Sequence, residues 1–175
     1  MPIYRLGNAI PEVANSAFIA HNATIIGKAT IKKNASIWFN AVIRADFDSI
    51  TIGEDTNIQD LTMCHADLGQ PLIIGDRVTI GHNSTIHGCT IENDCLIGMG
   101  ATIMNGAIIK RGSIIAAGSV ILENTVIEEH SLVMGAPGKI KKVMQKEIIE
   151  IIKASAEVYK NKSKTYANKE LFSSI

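Results

Sequence analysis

An aliphatic residue returns every six positions along most of this chain, and that spacing limits its fold more than any other feature. The series runs Val13, Ile19, Ile25, Ile31, Ile37 and Ile43, and a small residue follows four places after each of the first five, as Ala17, Ala23, Ala29, Ala35 and Ala41. It slips near Phe47-Asp48-Ser49, resumes at Ile52, Ile58 and Cys64, breaks again, and returns at Ile74, Ile80 and Ile86. After one step shortened to five residues it continues through Ile91, Ile97, Ile103, Ile109, Ile115, Ile121, Ile127 and Val133. A period of six fits neither the 3.6-residue turn of a helix nor the two-residue alternation of a long strand. It suits an all-β solenoid, a parallel β-helix in which three short strands make one triangular coil. The aliphatic residue points inward and the small one fits near a corner. Gly27, Gly53, Gly75, Gly81, Gly98 and Gly112 are expected where such a coil turns sharply. The alternative is a β-sandwich of short strands, which has no reason to keep one register over so many hexads.

The chain has 175 residues, enough for one domain with its own core. Hydrophobic residues make up 46% but aromatics only 5%, so the core must be built from Ile, Val, Leu and Ala. Seventeen basic residues balance seventeen acidic ones, which argues against a nucleic acid or an anionic membrane held by bulk charge. No apolar run reaches the length of a membrane span, and Met1 to Gly7 does not read as a signal peptide. Cys64, Cys89 and Cys95 are odd in number and lack CxxC spacing, so reduced thiols in a cytoplasmic protein are expected. The repeats end at Gly135-Ala136-Pro137-Gly138, a turn signal. Beyond it, Ile140, Val143, Met144, Ile148, Ile151, Ile152, Val158 and Tyr159 recur at helical spacing, predicting one amphipathic helix from about Lys139 to Tyr166. One structural unit is expected: a β-helix over 1–138, a helix over 139–167 packed on it, and a loosely held tail over 168–175.

The repeat also orders the histidines. If six residues make one face, eighteen make one coil. Cys64 and Ile86 share the inward position although twenty-two residues apart, so Ala66-Asp67-Leu68-Gly69-Gln70-Pro71 must bulge outward as a loop. His65 and His87 each follow an inward residue by one place. They should therefore face outward on consecutive coils, about 4.8 Å apart, a spacing at which two imidazoles can share a metal. His82 follows its own inward residue by two places and belongs on the preceding face or near its corner. Either it does something else, or it meets the other two across a subunit boundary in a cyclic oligomer. A triangular prism packs naturally as a trimer. His21 and His130 are read as solvated surface residues.

These segments resemble the gamma-class carbonic anhydrases and the gamma-carbonic-anhydrase-like proteins of the hexapeptide-repeat family. Trp38-Phe39-Asn40-Ala41-Val42-Ile43-Arg44-Ala45-Asp46 is similar to the family's Trp-x-x-Ala-Val-x-Arg-x-Asp element. Asn57-Ile58-Gln59-Asp60, His65, Ile80-Gly81-His82 and Ile86-His87-Gly88-Cys89 follow in family order, and Ser155 to Tyr159 with Tyr166 resembles its terminal helix. The resemblance implies a left-handed coil, whereas the usual crossover rule favours the right-handed one. It also implies a homotrimer in which His65 and His87 of one chain and His82 of the next bind Zn2+, with Fe2+ or Co2+ able to use the same ligands. By the same resemblance Arg44 and Asp46 bridge subunits, while Gln59 hydrogen-bonds metal-bound hydroxide or bicarbonate. Asp60 supports that region and Tyr159 contacts the pocket. The implied reaction is reversible hydration of carbon dioxide to bicarbonate by metal-bound hydroxide at trimer interfaces. A metal on three imidazoles brings the pKa of water towards about 7, a figure known from carbonic anhydrase itself. The best-studied active members carry proton-exporting glutamates after the Arg-x-Asp element and in the loop after the first histidine. Phe47 stands at the first place and Asp67 is the only carboxylate in the loop, which implies slow or conditional turnover.

Two other readings stay open on the residues. Val133-Met134-Gly135-Ala136-Pro137-Gly138-Lys139 resembles the turn that hexapeptide acyltransferases place near coenzyme A, and there His87 would act as a general base without metal. The chain could also be a metal-binding scaffold without turnover.

Overall fold

Each aliphatic residue of the hexad series becomes the inward rung of a short parallel strand, and the rungs stack into three ladders. On the first face Ile25, Ile43, Cys64, Ile86, Ile103 and Ile121 lie in register. On the second are Val13, Ile31, Ile52, Ile74, Ile91, Ile109 and Ile127. On the third are Ile19, Ile37, Ile58, Ile80, Ile97, Ile115 and Val133. Every rung except Val13 is buried, and each buried aliphatic side chain stabilises the fold by about 1.5–3 kcal/mol relative to exposure. The computed structural model, which describes residues 2–173, is thus a left-handed parallel β-helix of about seven turns with one C-terminal helix. No helix among the described residues is long and apolar enough to cross a membrane.

All three departures from the six-residue step fall at one corner, between the first and second faces. Nine positions separate Ile43 from Ile52, ten separate Cys64 from Ile74, and five separate Ile86 from Ile91. The first excess is absorbed by a continuous strand, Val42–Ile52, that runs through the corner. The second forms the expected outward loop, closed by a bridge between Asp67 and Gln70 and tied down where the Gly69 N–H donates to Asp48 Oδ2 at 2.9 Å. At the shortened corner Gly88 takes a positive φ of 48°. This corner is where polar side chains leave the repeating pattern.

Of the glycines expected to turn the chain, Gly27 and Gly112 do so with positive φ. Gly53 has another reason: a Cβ there would lie 2.3 Å from the Gly75 carbonyl, so the two coils approach too closely for a side chain.

The helix expected from Lys139 begins later. Lys139–Val143 is instead a strand antiparallel to Ser131–Met134, and the helix is Ile148–Ala167. The last coil leaves its strand edge with unpaired backbone groups, and folding the chain back satisfies them while lysines face solvent. Ile140 and Val143, counted in the apolar stripe, stay exposed. The helix lies across the third face and runs back towards the first coils. Ile152 and Ala156 are buried, Thr79 and Ser155 hydroxyls meet at 3.4 Å, and Tyr166 reaches Phe18. Phe172, in the segment expected to be a loose tail, packs on Phe39 and Tyr166; residues 174–175 of that tail lie outside the described residues. His21 is exposed, as expected of a surface residue. His130 is not: its side chain is only 13% accessible and rests against Gly112.

Candidate metal centre

Arg44, His65 and His87 stand one above another on successive coils, each just past an inward rung of the first face. The repeat brings the two imidazoles together without any loop having to find its partner. His65 Nδ1 and His87 Nε2 are 2.9 Å apart and the ring centroids 4.9 Å. His65 is buried and His87 half-buried.

Acceptors fix which ring nitrogens carry protons. Asp46 offers only acceptors, so His65 donates from Nε2 to Asp46 Oδ1 at 2.9 Å, while Arg44 donates to the other oxygen. His65 therefore turns Nδ1 towards His87. Asn105 donates from Nδ2 to the Asp67 carboxylate at 2.9 Å, which orients its amide and leaves Oδ1 to accept from His87 Nδ1 at 2.7 Å. His87 is thereby left with a bare Nε2 aimed at His65. Burial alone would raise the Asp46 carboxyl, but the hydrogen bonds from His65 and then Arg44 outweigh it and hold the group below the usual carboxylate range. Phe47 lies edge-on to His65 with centroids 5.9 Å apart, and is itself 59% exposed at the rim.

The other predicted residues gather elsewhere. Gln59, Asp60 and His82 sit on the opposite border of the first face, at the corner that precedes its strands. Asp60 Oδ2 accepts from His82 Nδ1 at 2.8 Å, and its second oxygen accepts from the Phe39 amide at 3.3 Å. His82 Nε2 faces the Tyr159 hydroxyl, which reaches it from the helix at 3.4 Å. Burial, then the Asp60 charge, pushes the Tyr159 hydroxyl above its ordinary value. These groups share a pocket of about 480 Å³ with Trp38, Phe39 and Tyr166. Gln59 is buried beside it and donates to Asn57 Oδ1 at 3.0 Å. Five residues of extended chain, up to about 17 Å, lie between His82 and His87. One chain thus carries two separate histidine groups on two edges of one face.

The donor set suits a divalent metal. Two nitrogens on one tetrahedral zinc stand about 3.3–3.4 Å apart, so the rings need separate by only about half an ångström from their present contact. Asp67 is the third potential ligand from the same chain, its donor atom within 4.8 Å of those of His65 and His87. The thiols are not candidates. All three are buried; burial raises Cys64 above its ordinary value and pushes Cys89 and Cys95 up to about 12, and a thiol must ionise to ligate.

Comparison with known proteins bears on the family and the fold. Residues 88–123 match the family described as bacterial transferase hexapeptide (six repeats), and residues 71–103 match the hexapeptide repeat of succinyl-transferase. A protein of Methanocaldococcus jannaschii named "Probable carbonic anhydrase" is 45% identical over 153 residues, 87% of this chain and 96% of the relative. The chain belongs to the gamma-carbonic-anhydrase-like hexapeptide-repeat family. A carbonic anhydrase of Geobacillus kaustophilus is 47% identical over 79 residues, 45% of this chain and 43% of that one. A solved structure of a hexapeptide transferase family protein from Anaplasma phagocytophilum superposes with a TM-score of 0.90 at 41% identity, covering 94% of this chain and 98% of the other. Family names therefore point to two chemistries on one fold, and the site has to decide between them.

Reading the sequence finds the histidines but misses Asn105. The signal was weak: the shortened corner makes this coil seventeen residues, as Ile86 pairs with Ile103, so Met104 stands over His87 and Asn105 lies one place further along. It was missed because a lone asparagine near a turn has an ordinary structural explanation.

Proposed function

We propose that this protein is a metal-dependent carbonic anhydrase, working as a homotrimer in which His65 and His87 of one chain and His82 of a neighbouring copy hold a zinc ion. One observation carries the reading. Each of the three histidines gives one ring N–H to an oxygen acceptor of its own chain, His65 to Asp46, His82 to Asp60 and His87 to Asn105, which leaves the other nitrogen unprotonated; those of His65 and His87 face each other, and that of His82 faces the Tyr159 hydroxyl in the pocket. Such acceptors orient metal-binding imidazoles and raise their basicity. The separation of the two histidine groups supports a site completed by another copy. Fe2+ and Co2+ suit the same imidazoles.

The ion would supply Lewis acidity sufficient to make hydroxide available near neutral pH. The chain's residues do the rest. Asp46 and Asp60 hold His65 and His82 in their tautomers, and Arg44 neutralises the Asp46 carboxylate. Apolar Trp38, Phe39 and Tyr166 line the His82 pocket and limit the water around it. Asp67 is the carboxylate placed to take a proton away from the histidine pair, and Phe47 fills the rim where a second would help.

A transferase-named neighbour and the Gly135–Lys139 turn favour an acyltransferase as the second reading. That chemistry needs a free nitrogen on His87 to deprotonate an acceptor. With Nδ1 given to Asn105, the nitrogen left for that role is Nε2, which points at the bare Nδ1 of His65 2.9 Å away; two bare imidazole nitrogens turned towards each other favour a shared metal over a general base.

Mixed refolding tests the shared site. His65→Ala and His82→Ala should each lose tightly bound metal. When the two variants are unfolded together and refolded, each mixed trimer has one interface where intact His65 and His87 meet an intact His82. Metal and carbon dioxide hydration should return in the mixture and in neither variant alone. A mixture as empty as its parents, beside refolded wild type that regains metal, refutes the proposal.

A further inference from the structure

We infer that Asn105 is the positioning residue of this centre: it fixes the tautomer of His87 and holds Asp67 beside the two imidazoles. The inference rests on the reading of His65 and His87 as a metal-binding pair. Carboxylates orient the other two histidines, and Asn105 is the neutral group that does this for His87.

Two observations single it out from the asparagines of left-handed corners. First, Asn34, Asn40, Asn83 and Asn124 occupy left-handed backbone, where asparagine is favoured for the turn itself; Asn105 does not, and the positive φ at its corner belongs to Gly106. The turn therefore does not explain the residue type. Second, its side-chain bonds run to two site groups on two different segments, His87 Nδ1 at 2.7 Å and Asp67 Oδ2 at 2.9 Å. The amide matches both at once, an acceptor for a ring N–H and a donor for a carboxylate. Leucine or alanine would leave both partners unpaired. The chain also makes room for it, as it does for Asn93 over Gly75 and Asn124 over Gly106: a Cβ at Gly88 would lie 2.2 Å from Asn105 Oδ1. The residue after the metal-binding histidine is thus a glycine whose missing side chain leaves the amide its path.

If Asn105 were lost, His87 could carry its proton on either nitrogen. The form with Nε2–H cannot ligate through the nitrogen that faces His65. Asp67 would lose the contact that holds the loop over the pair, apart from the bridge at Gln70 and the Asp48 anchor on Gly69.

The test uses the full-length protein with Co2+ as the probe. Nitrogen-15 spectra of the histidine rings, recorded without metal, should show His87 protonated at Nδ1 in wild type and redistributed towards Nε2 in Asn105→Ala. Chelator competition should show Co2+ held about 10- to 100-fold more weakly by Asn105→Ala, the range expected for losing a partner that orients a ligand. Asn105→Asp sets a second carboxylate against Asp67 and should also bind weakly. The exchanged double variant N105D/D67N keeps an oxygen to accept from His87 Nδ1 and remakes the bond between positions 105 and 67 with donor and acceptor transposed, and should return to wild-type affinity or better. Recovery by exchange is something that a residue serving only packing cannot produce. If Asn105→Ala keeps the His87 tautomer and binds Co2+ within twofold of wild type, the inference is wrong. A loss that the exchange fails to recover, with the tautomer unchanged, overturns it equally. Should wild type bind no Co2+ at all, the metal-centre reading fails, and the ring spectra still decide what Asn105 does to His87.

Discussion

Asp46→Asn is the substitution whose consequences follow most directly from the geometry. In the native chain both carboxylate oxygens accept, one from His65 Nε2 and one from Arg44. Asparagine keeps the shape but offers one acceptor, so its amide must confront one of the two donors. The Arg44 guanidinium cannot give up its protons, so the oxygen goes to Arg44 and the NH2 turns to His65. His65 must then accept at Nε2 and carry its proton at Nδ1, the nitrogen that should face the metal. For stability, a shielded charge-assisted hydrogen bond contributes about 1.5–3 kcal/mol. Here the side chains of Asp46 and Arg44 are 24% and 34% exposed, so solvent recovers part of it and about 1 kcal/mol is expected. For a chain of this size that lowers Tm by about 2–4 °C. Metal affinity should fall further, about 10- to 100-fold, or about 1.4–2.7 kcal/mol. Calorimetry of the metal-free protein gives the first quantity and chelator competition the second. A variant that loses several kcal/mol of stability but binds metal as wild type does would refute the argument, because Asp46 would then be a structural ion-pair residue only.

Two further expectations concern the fold and the rim. Asp94 is fully buried and receives Arg77 at 2.6 Å and Arg111 at 2.8 Å; burial would raise its carboxyl, but Arg77 and then Arg111 hold it below the usual range. Its contribution is present above the unfolded carboxylate value of about 3.9 and is lost as pH falls through the lower folded value. Asp94→Asn should cost about 2 kcal/mol at pH 7, reduced from the fully buried case because both arginines reach solvent, and its melting temperature should decline less with acid than wild type's; parallel acid profiles would count against this. Phe47→Glu should leave stability nearly unchanged, since Phe47 is already 59% exposed, and should raise carbon dioxide hydration by the metal-loaded protein about tenfold or more by adding a proton acceptor. An unaltered stopped-flow rate, with no response to imidazole buffer either, would mean that proton export does not limit turnover.

The hexad series by itself determined the coil, its three ladders and the stacking of His65 on His87, because a β-helix converts sequence separation into height at a nearly constant rate. Its three irregular steps, after Ile43, Cys64 and Ile86, even mark the corner where His65 and His87 lie. Two kinds of information were not local. The strand Lys139–Val143 reads as helix by its apolar spacing, and only the unpaired edge of the last coil makes it a strand; that demand comes from residues 131–134, not from its own side chains. The partners of the histidines were the other. Whether His65 presents Nδ1 or Nε2 depends on which acceptor stands within 3 Å, and Asp46, Asp60 and Asn105 reach their rings from coils 19, 22 and 18 residues away. Repeat arithmetic brings such residues near one another. The direction of a side chain, and so the nitrogen left free for a metal, is settled only when the corners close and every buried donor must find an acceptor.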